Sequence, residues 1–227
     1  MNTYRIITDS SCDLTQEMAD AFIKEHLLNE EEFWTPYPVP AIAANDPYFH
    51  VNQEYSNCAE KLAQLDSELH GIDDNSWSGP INGLVWQRCI EALINYGYHA
   101  EIVKVGKRIL SLLKKHRRYV QNYNPYTGEP AKGENGYGPT MLAALEYISF
   151  LCGVNIQYDK VYWSVADEIG EFTYTQKMFG KLYTLKSDGV RAGAFINGEC
   201  IFDSPVGVRT VTDTSGKLLS VYGISDK

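Results

Sequence analysis

Long apolar runs are absent from this 227-residue sequence: the longest candidate, around residues 148–154, is far too short to cross a bilayer. The opening residues, MNTYRIITDSSCDL, hold no apolar stretch followed by a small-residue cleavage site, so no secretory leader is read there. Cysteine is scarce and unpatterned. Cys12, Cys58, Cys89, Cys152 and Cys200 are odd in number and include no CxxC pair, which speaks for reduced thiols and a cytoplasmic location rather than a disulfide framework. His26, His50, His70, His99 and His116 never fall at HxH or HxxxH spacing, so no metal is expected. No glycine-rich phosphate loop occurs, and no cofactor is expected. Basic residues are in deficit, 20 Lys and Arg against 29 Asp and Glu for a net charge of −9, which disfavours nucleic acid and anionic membranes as partners. The one basic run, KKHRR at 114–118, closes a predicted helix, where cations meet the negative end of the helix dipole.

What is present is core-forming and aromatic. The chain is 44% hydrophobic and 22% charged, enough for one large domain or two unequal ones. Sixteen Tyr, eight Phe and four Trp fall in loop-like segments as well as in helices, as a sugar-binding cleft would need. The texture changes near Asp159. Before it, helical stretches alternate with Pro-, Gly- and aromatic-rich loops. The spacing predicts a helix over 14–28 with Asp13 as its N-cap and a short one near 59–69. Another starts at Val85, with Cys89, Ile90, Leu93 and Ile94 on one face. Tyr96-Gly97-Tyr98 stops that helix with a glycine suited to a left-handed cap. The next helix follows at once, with Ile102, Val105, Ile109 and Leu113 on one face, so the two fold back as an αα-hairpin. A last helix runs over 140–151, with Met141, Leu145, Ile148 and Cys152 on one face. Beyond residue 160, short β-branched and aromatic runs lie between Ser187-Asp188-Gly189, Asn197-Gly198 and Thr214-Ser215-Gly216, which predicts a meander or small sandwich of about five or six strands.

Three loops carry the chemistry: FWTPYPVPAIAANDP (33–47), NSWSGP (75–80) and QNYNPYTGEP (121–130). Each lies at a helix end and mixes aromatics with amides or a carboxylate. Successive loops on one side of a helical barrel converge on a cleft of mixed apolar and polar character.

NSWSGPINGL, a helix ending in YGY, then QNYNPYTGEPA and a GYGP-helix, resemble in order the C-terminal part of six-hairpin glycosidases. The likeness is to glycoside hydrolase family 63 and the mannosylglycerate-hydrolase-like enzymes, with trehalases more distant. The resemblance covers about residues 23–227. It implies a mainly α chain: a partial α/α six-hairpin barrel over 23–158, followed over 159–227 by a small antiparallel β domain. It implies inverting hydrolysis of α-linked glucosides, mannosides or related oligosaccharides by two carboxyl groups in the intact architecture. A carbohydrate is then the partner, contacted by Trp34, Trp77, Asn82, Tyr123 and Asn124, although the Arg that usually follows the NSW segment is missing. The family's general-base position falls on Gln121, an amide that cannot take a proton from water. Glu129 in TGEP is the next candidate base, and no acid of the family pattern matches this chain. It is therefore expected to be an incomplete catalytic unit, with Asp46, Asp73 and Asp74 the first other carboxylates to consider. Exposed helix faces of a partial barrel imply self-association. The rival class is a non-catalytic carbohydrate-binding or structural fragment. Separately, MNTYRIITDSSCDLTQEMAD, within residues 1–22, is similar to the opening of DegV-type fatty-acid-binding proteins, which makes a lipid-binding protein the third reading.

Overall fold

The computed structural model describes residues 15–46, 49, 51, 79–131 and 135–225. The first helix, α1 (Gln16–Phe22), starts where Thr15 Oγ1 accepts a hydrogen bond from the Met18 backbone N–H at 3.3 Å. Thr15, not Asp13, is thus its cap, and Asp13 lies outside the described residues, as does the helix expected near 59–69. The chain continues through a π-helical turn, Ile23–Leu27. Helix α2 (Gly83–Asn95) is capped by Asn82, and α3 (His99–His116) follows after Tyr96, Gly97 and Tyr98, with Gly97 at φ 80°. Helix α4 (Gly138–Cys152) packs across both. The apolar stripes of the hairpin face inward as their spacing dictates: Cys89, Ile90 and Leu93 of α2 meet Ile102, Val105, Ile109 and Leu113 of α3 in one core.

Helix α4 does not follow its predicted face. Met141 and Leu145 are 43% and 65% exposed, while Ala143, Ala144, Tyr147, Phe150 and Leu151 are buried. Apolar residues run nearly all round this helix, so periodicity carries little information. Its orientation is set by small and polar residues. Thr140 is fully buried and donates its hydroxyl to the Val120 carbonyl, and the start of α2 lies directly against it. There the absent side chain of Gly83 is what permits contact: a Cβ would sit 2.8 Å from the Thr140 backbone N and Cα. Backbone cannot yield as a flexible side chain does. Gly83→Ala is therefore expected to lower the unfolding free energy by about 2–3 kcal/mol through overpacking. A shifted urea midpoint at unchanged slope would show this; an unmoved midpoint would refute it.

From α4 the chain passes directly into β3 (Gly153–Gln157). Two four-stranded antiparallel sheets follow. The first, in the order β10-β9-β4-β3, comprises β3, β4 (Lys160–Val165), β9 (Val208–Asp213) and β10 (Leu218–Gly223). The second is the meander β5 (Glu171–Met178), β6 (Lys181–Asp188), β7 (Arg191–Ile196) and β8 (Glu199–Pro205). Asn197 and Gly198 both adopt positive φ, 52° and 88°, the two-residue turn that suits the twist of β7 and β8. Alternation along β4 decides the layering. Val161, Trp163 and Val165 pack against Tyr183, Leu185, Ala192 and Ala194 of the second sheet, while Tyr162 joins the helical core.

The expectation of a mainly α chain built on an α/α barrel is corrected here. Among the described residues, helix and strand each make up about 33%, with four helices and three antiparallel sheets. The third sheet is the small pair β1 (Ile81–Asn82) and β2 (Asn122–Tyr123), formed by the loops themselves. The physical reason is visible at α4. Its inner side is covered by α2 and α3 on one flank and by β3 and β4 on the other, so the first sheet takes the place that further helices would occupy in a barrel.

The two layers are clasped by one charged side chain. Arg209 of β9 is fully buried, with no carboxylate among its hydrogen-bond partners in the described residues. Its Nε donates to Ser164 Oγ at 2.8 Å, its Nη2 to the Phe150 carbonyl at 2.7 Å, and its Nη1 to His99 Nδ1 at 2.9 Å. The guanidinium lies 4.8 Å from the Phe150 ring centroid, and His99 stacks on Tyr222 of β10 at 3.8 Å.

Candidate functional site

The loops between the helices are tied into a single ladder. Pro40 bridges Ile81, Ile81 pairs with Tyr123 and Asn82 with Asn122, and Tyr123 bridges Pro130. Segments some forty residues apart in sequence thus lie side by side at one end of the helical hairpin, where α2 begins and α3 ends. Further bonds lock the ladder. The Tyr37 N–H donates to the Pro125 carbonyl at 2.9 Å, the Ala41 N–H to the Pro80 carbonyl at 3.2 Å, and the Trp86 indole to the Pro38 carbonyl at 3.3 Å. Prolines lack an N–H but keep a strong carbonyl acceptor, so a proline-rich loop is held by donors that others supply.

The 33–47 loop is strained at one point. Val39, β-branched and buried, has φ 66°, a left-handed conformation that such residues rarely adopt. A strain of order 1–3 kcal/mol persists only where surroundings over-determine the backbone; here the flanking Pro38 and Pro40 and the Val39 N–H bond to the Phe33 carbonyl, at 2.8 Å, do so. Trp34 precedes this point, half-buried, with the Arg108 guanidinium 5.1 Å from its ring centroid. Arg108 also donates to the Thr35 carbonyl at 3.3 Å, so one α3 side chain holds both the ring and the backbone of the loop.

The other proposed sugar contacts fall into distinct settings. Asn82 is fully buried; its Oδ1 caps α2 by accepting from the Leu84 N–H at 2.9 Å, and its Nδ2 donates to Asn122 Oδ1 at 3.2 Å. Tyr123 is fully buried against Trp86, its hydroxyl donating to the Arg118 carbonyl and accepting from the Val120 N–H. Burial pushes that phenol up to about 12. Asn124 Oδ1 accepts from the N–H groups of Tyr126 and Thr127 and shapes the turn. Trp77, Asp73 and Asp74 lie outside the described residues. Gln121 is half-buried on the ladder, its carbonyl accepting from the Gly83 N–H at 3.2 Å. Glu129, with its side chain 62% exposed, has Lys115 at 3.9 Å and His116 at 4.0 Å.

Three residues at this end were not singled out by the sequence. Tyr126 is 47% exposed and meets Phe49 edge to face at 6.1 Å, joining the first and third loops at the surface. Tyr37 closes on Gly128, whose missing Cβ would lie 2.8 Å from its ring. Arg108 sits on an otherwise ordinary helix, and no local pattern marks it. The two tyrosines stand in the quoted motifs, YPVP and NPYTG, where their ring-bearing positions were the available signal.

The family model described as the mannosylglycerate hydrolase MGH1-like glycoside hydrolase domain matches residues 11–138, more than half of the chain. That match starts at residue 11, inside the opening segment for which a likeness to DegV proteins was expected, and residues 1–14 lie outside the described residues. No curated protein matches the chain. The ladder joining loops 33–47, 79–83 and 121–130 lies wholly within the matched residues, and the chain belongs to the MGH1-like glycoside hydrolase family.

Proposed function

We propose that the loop ladder is the sugar-contacting side of an inverting glycoside hydrolase site for α-linked glucosides, mannosides or related oligosaccharides. The observation that carries this reading is the hydrogen-bonded convergence of segments 37–41, 80–83 and 121–130 inside the family-matched residues. Trp34, half-buried with the Arg108 guanidinium over its ring, is the indole assigned to a sugar ring, and Tyr126 and Phe49 pack edge to face at the surface.

Inversion needs one carboxylic acid to protonate the leaving oxygen and one carboxylate to activate water. At Gln121 the side chain is an amide, which does neither. Glu129 is the carboxylate on the same ladder, and Asp46 stands on the first loop. In the proposed roles Glu129 takes the proton of water and the acid comes from outside this chain, so this chain alone binds sugar and does not turn it over. General-base assistance is worth roughly 10²–10⁴ in rate, which is the margin that a missing partner forfeits.

The test is direct. Titration calorimetry with α-mannobiose and maltose should show binding by the 227-residue protein, weakened about tenfold or more in Trp34→Ala, which corresponds to at least 1.4 kcal/mol. Nitrophenyl α-mannoside and α-glucoside should be left intact. Undiminished binding in Trp34→Ala overturns the placement of the site. Turnover that disappears in Glu129→Gln makes the chain a complete enzyme instead. The second reading, a purely non-catalytic sugar binder, is favoured by the exposed and ion-paired setting of Glu129; it predicts unchanged sugar binding and no turnover in Glu129→Gln even when other members of the catalytic unit are supplied.

A further inference from the structure

At the opposite end of the hairpin lies a cleft of about 450 Å³, between the α2–α3 link and β10. It is lined by Gln16, Asp20, Tyr96, Tyr98, His99, Glu101 and Tyr222 among others. Helix α2, with 13 residues, puts about 20 Å between this cleft and the loop ladder at 1.5 Å per residue. The volume falls in the range of small-molecule sites, roughly 300–1,000 Å³.

The chemistry of its wall follows from the buried arginine behind it. Arginine nitrogens only donate, so the 2.9 Å contact from Arg209 Nη1 makes His99 Nδ1 an acceptor. The imidazole is therefore neutral with its proton on Nε2. His99 is only 3% exposed, forms part of the cleft wall, and has no acceptor for that proton among the described residues. The hydroxyls of Tyr96 and Tyr222 likewise have no partner among the described residues. Opposite these donors stand carboxylates. Asp20 Oδ1 already accepts from the Tyr98 hydroxyl at 2.7 Å and from Gln16 Nε2 at 2.9 Å, which holds Asp20 below the usual carboxylate range. Its second oxygen and the Glu101 carboxylate, with Lys104 at 3.6 Å, supply acceptors at the rim.

We infer that this cleft is a second ligand site, binding a neutral polyhydroxyl compound, a mono- or disaccharide, through the His99 Nε2–H, the tyrosine hydroxyls and the two carboxylates. Donors and acceptors around tyrosine rings match sugar hydroxyls, each of which both donates and accepts. Two carboxylates repel phosphate and carboxylate ligands. A cation would leave the His99 proton unpaired and would face a guanidinium one hydrogen bond behind it.

Trp34→Ala provides the background in which to test this, because it disables the loop ladder while leaving the cleft intact. In that protein, saturation-transfer NMR and calorimetry with methyl α-mannoside, α-mannobiose and maltose should still detect saturable binding. Adding Tyr96→Phe or Glu101→Gln, both at the rim and checked by thermal melting, should weaken it about tenfold each. Absence of saturable binding in Trp34→Ala well beyond the millimolar range overturns the site. So does binding that neither rim substitution disturbs. Saturable binding of inorganic phosphate or of a simple alkylamine, with no sugar bound, overturns the ligand class. Failure of the loop-ladder reading looks different: wild type and Trp34→Ala then bind alike, and Tyr96→Phe weakens both.

Discussion

Arg209→Met should lower the unfolding free energy by about 4 kcal/mol, a large part of the 5–15 kcal/mol that holds a domain of ordinary stability together. Methionine matches the arginine stem in bulk and apolar character but donates nothing. His99 Nδ1, the Phe150 carbonyl and Ser164 Oγ would then lose their donor in a site without water access. Leaving a buried polar group unpaired costs about 1–3 kcal/mol each, more than the hydrogen bond contributes when made. Part of this loss is offset, because a buried charge is itself expensive and its removal relieves desolvation. Burial already pulls Arg209 down to about 9, an energetic strain that the three acceptors and the Phe150 ring sustain. Arg209→Lys should recover little, since one ammonium cannot reach acceptors on β4, α3 and α4 in the directions that the planar fork serves. Urea unfolding followed by tryptophan fluorescence measures this. A loss below about 1 kcal/mol for Arg209→Met would show that the clasp is dispensable.

Such a clasp explains why part of the architecture was legible in the sequence and part was not. Helices α2 and α3 carry amphipathic stripes and a glycine stop, and their pairing follows from local rules. The β7–β8 turn is written in Asn197-Gly198. The barrel expectation rested on the order of loop motifs, and motif order reports family membership, not which layer covers α4. That layer is chosen by nonlocal contacts: Tyr162 facing the helices, Arg209 reaching across to His99, and Thr140 fitted against Gly83. None of these has a signature in its own segment. At the site the same division holds. The three loops announce themselves by composition, and the structure joins their described parts. Asn82 and Asn124, assigned to sugar contact by resemblance, also cap a helix and shape a turn, roles that only their partners in the fold reveal. Arg108, which steadies Trp34, is invisible without the fold.

Acid should loosen the same clasp before it protonates the ordinary carboxylates. Burial, first, and the Arg209 charge, second, pull His99 from 6.5 down to about 4. The unfolded chain therefore binds a proton that the folded one refuses between these values, and stability rises with pH across that window. The contribution is complete above about 6.5 and is lost as pH falls toward 4. At 1.36 kcal/mol per unit the shift corresponds to about 3 kcal/mol, and partial solvent access trims it toward about 2 kcal/mol. The other groups with shifted titration do not cancel this. Burial raises Tyr162, and Asp20, Asp188 and Asp213 are all lowered from 3.8, so their losses begin below the His99 window. Glu146, raised by burial from 4.5, runs the other way and offsets part of the acid end. His99→Gln keeps an acceptor for Arg209 but removes the titration. Wild type should lose about 2 kcal/mol between pH 6.5 and 4.5, read as a falling urea midpoint, while His99→Gln stays nearly level across that range. Parallel curves for the two proteins would mean that the imidazole is not held neutral by its burial against Arg209, and the tautomer assigned to the cleft wall would fall with it.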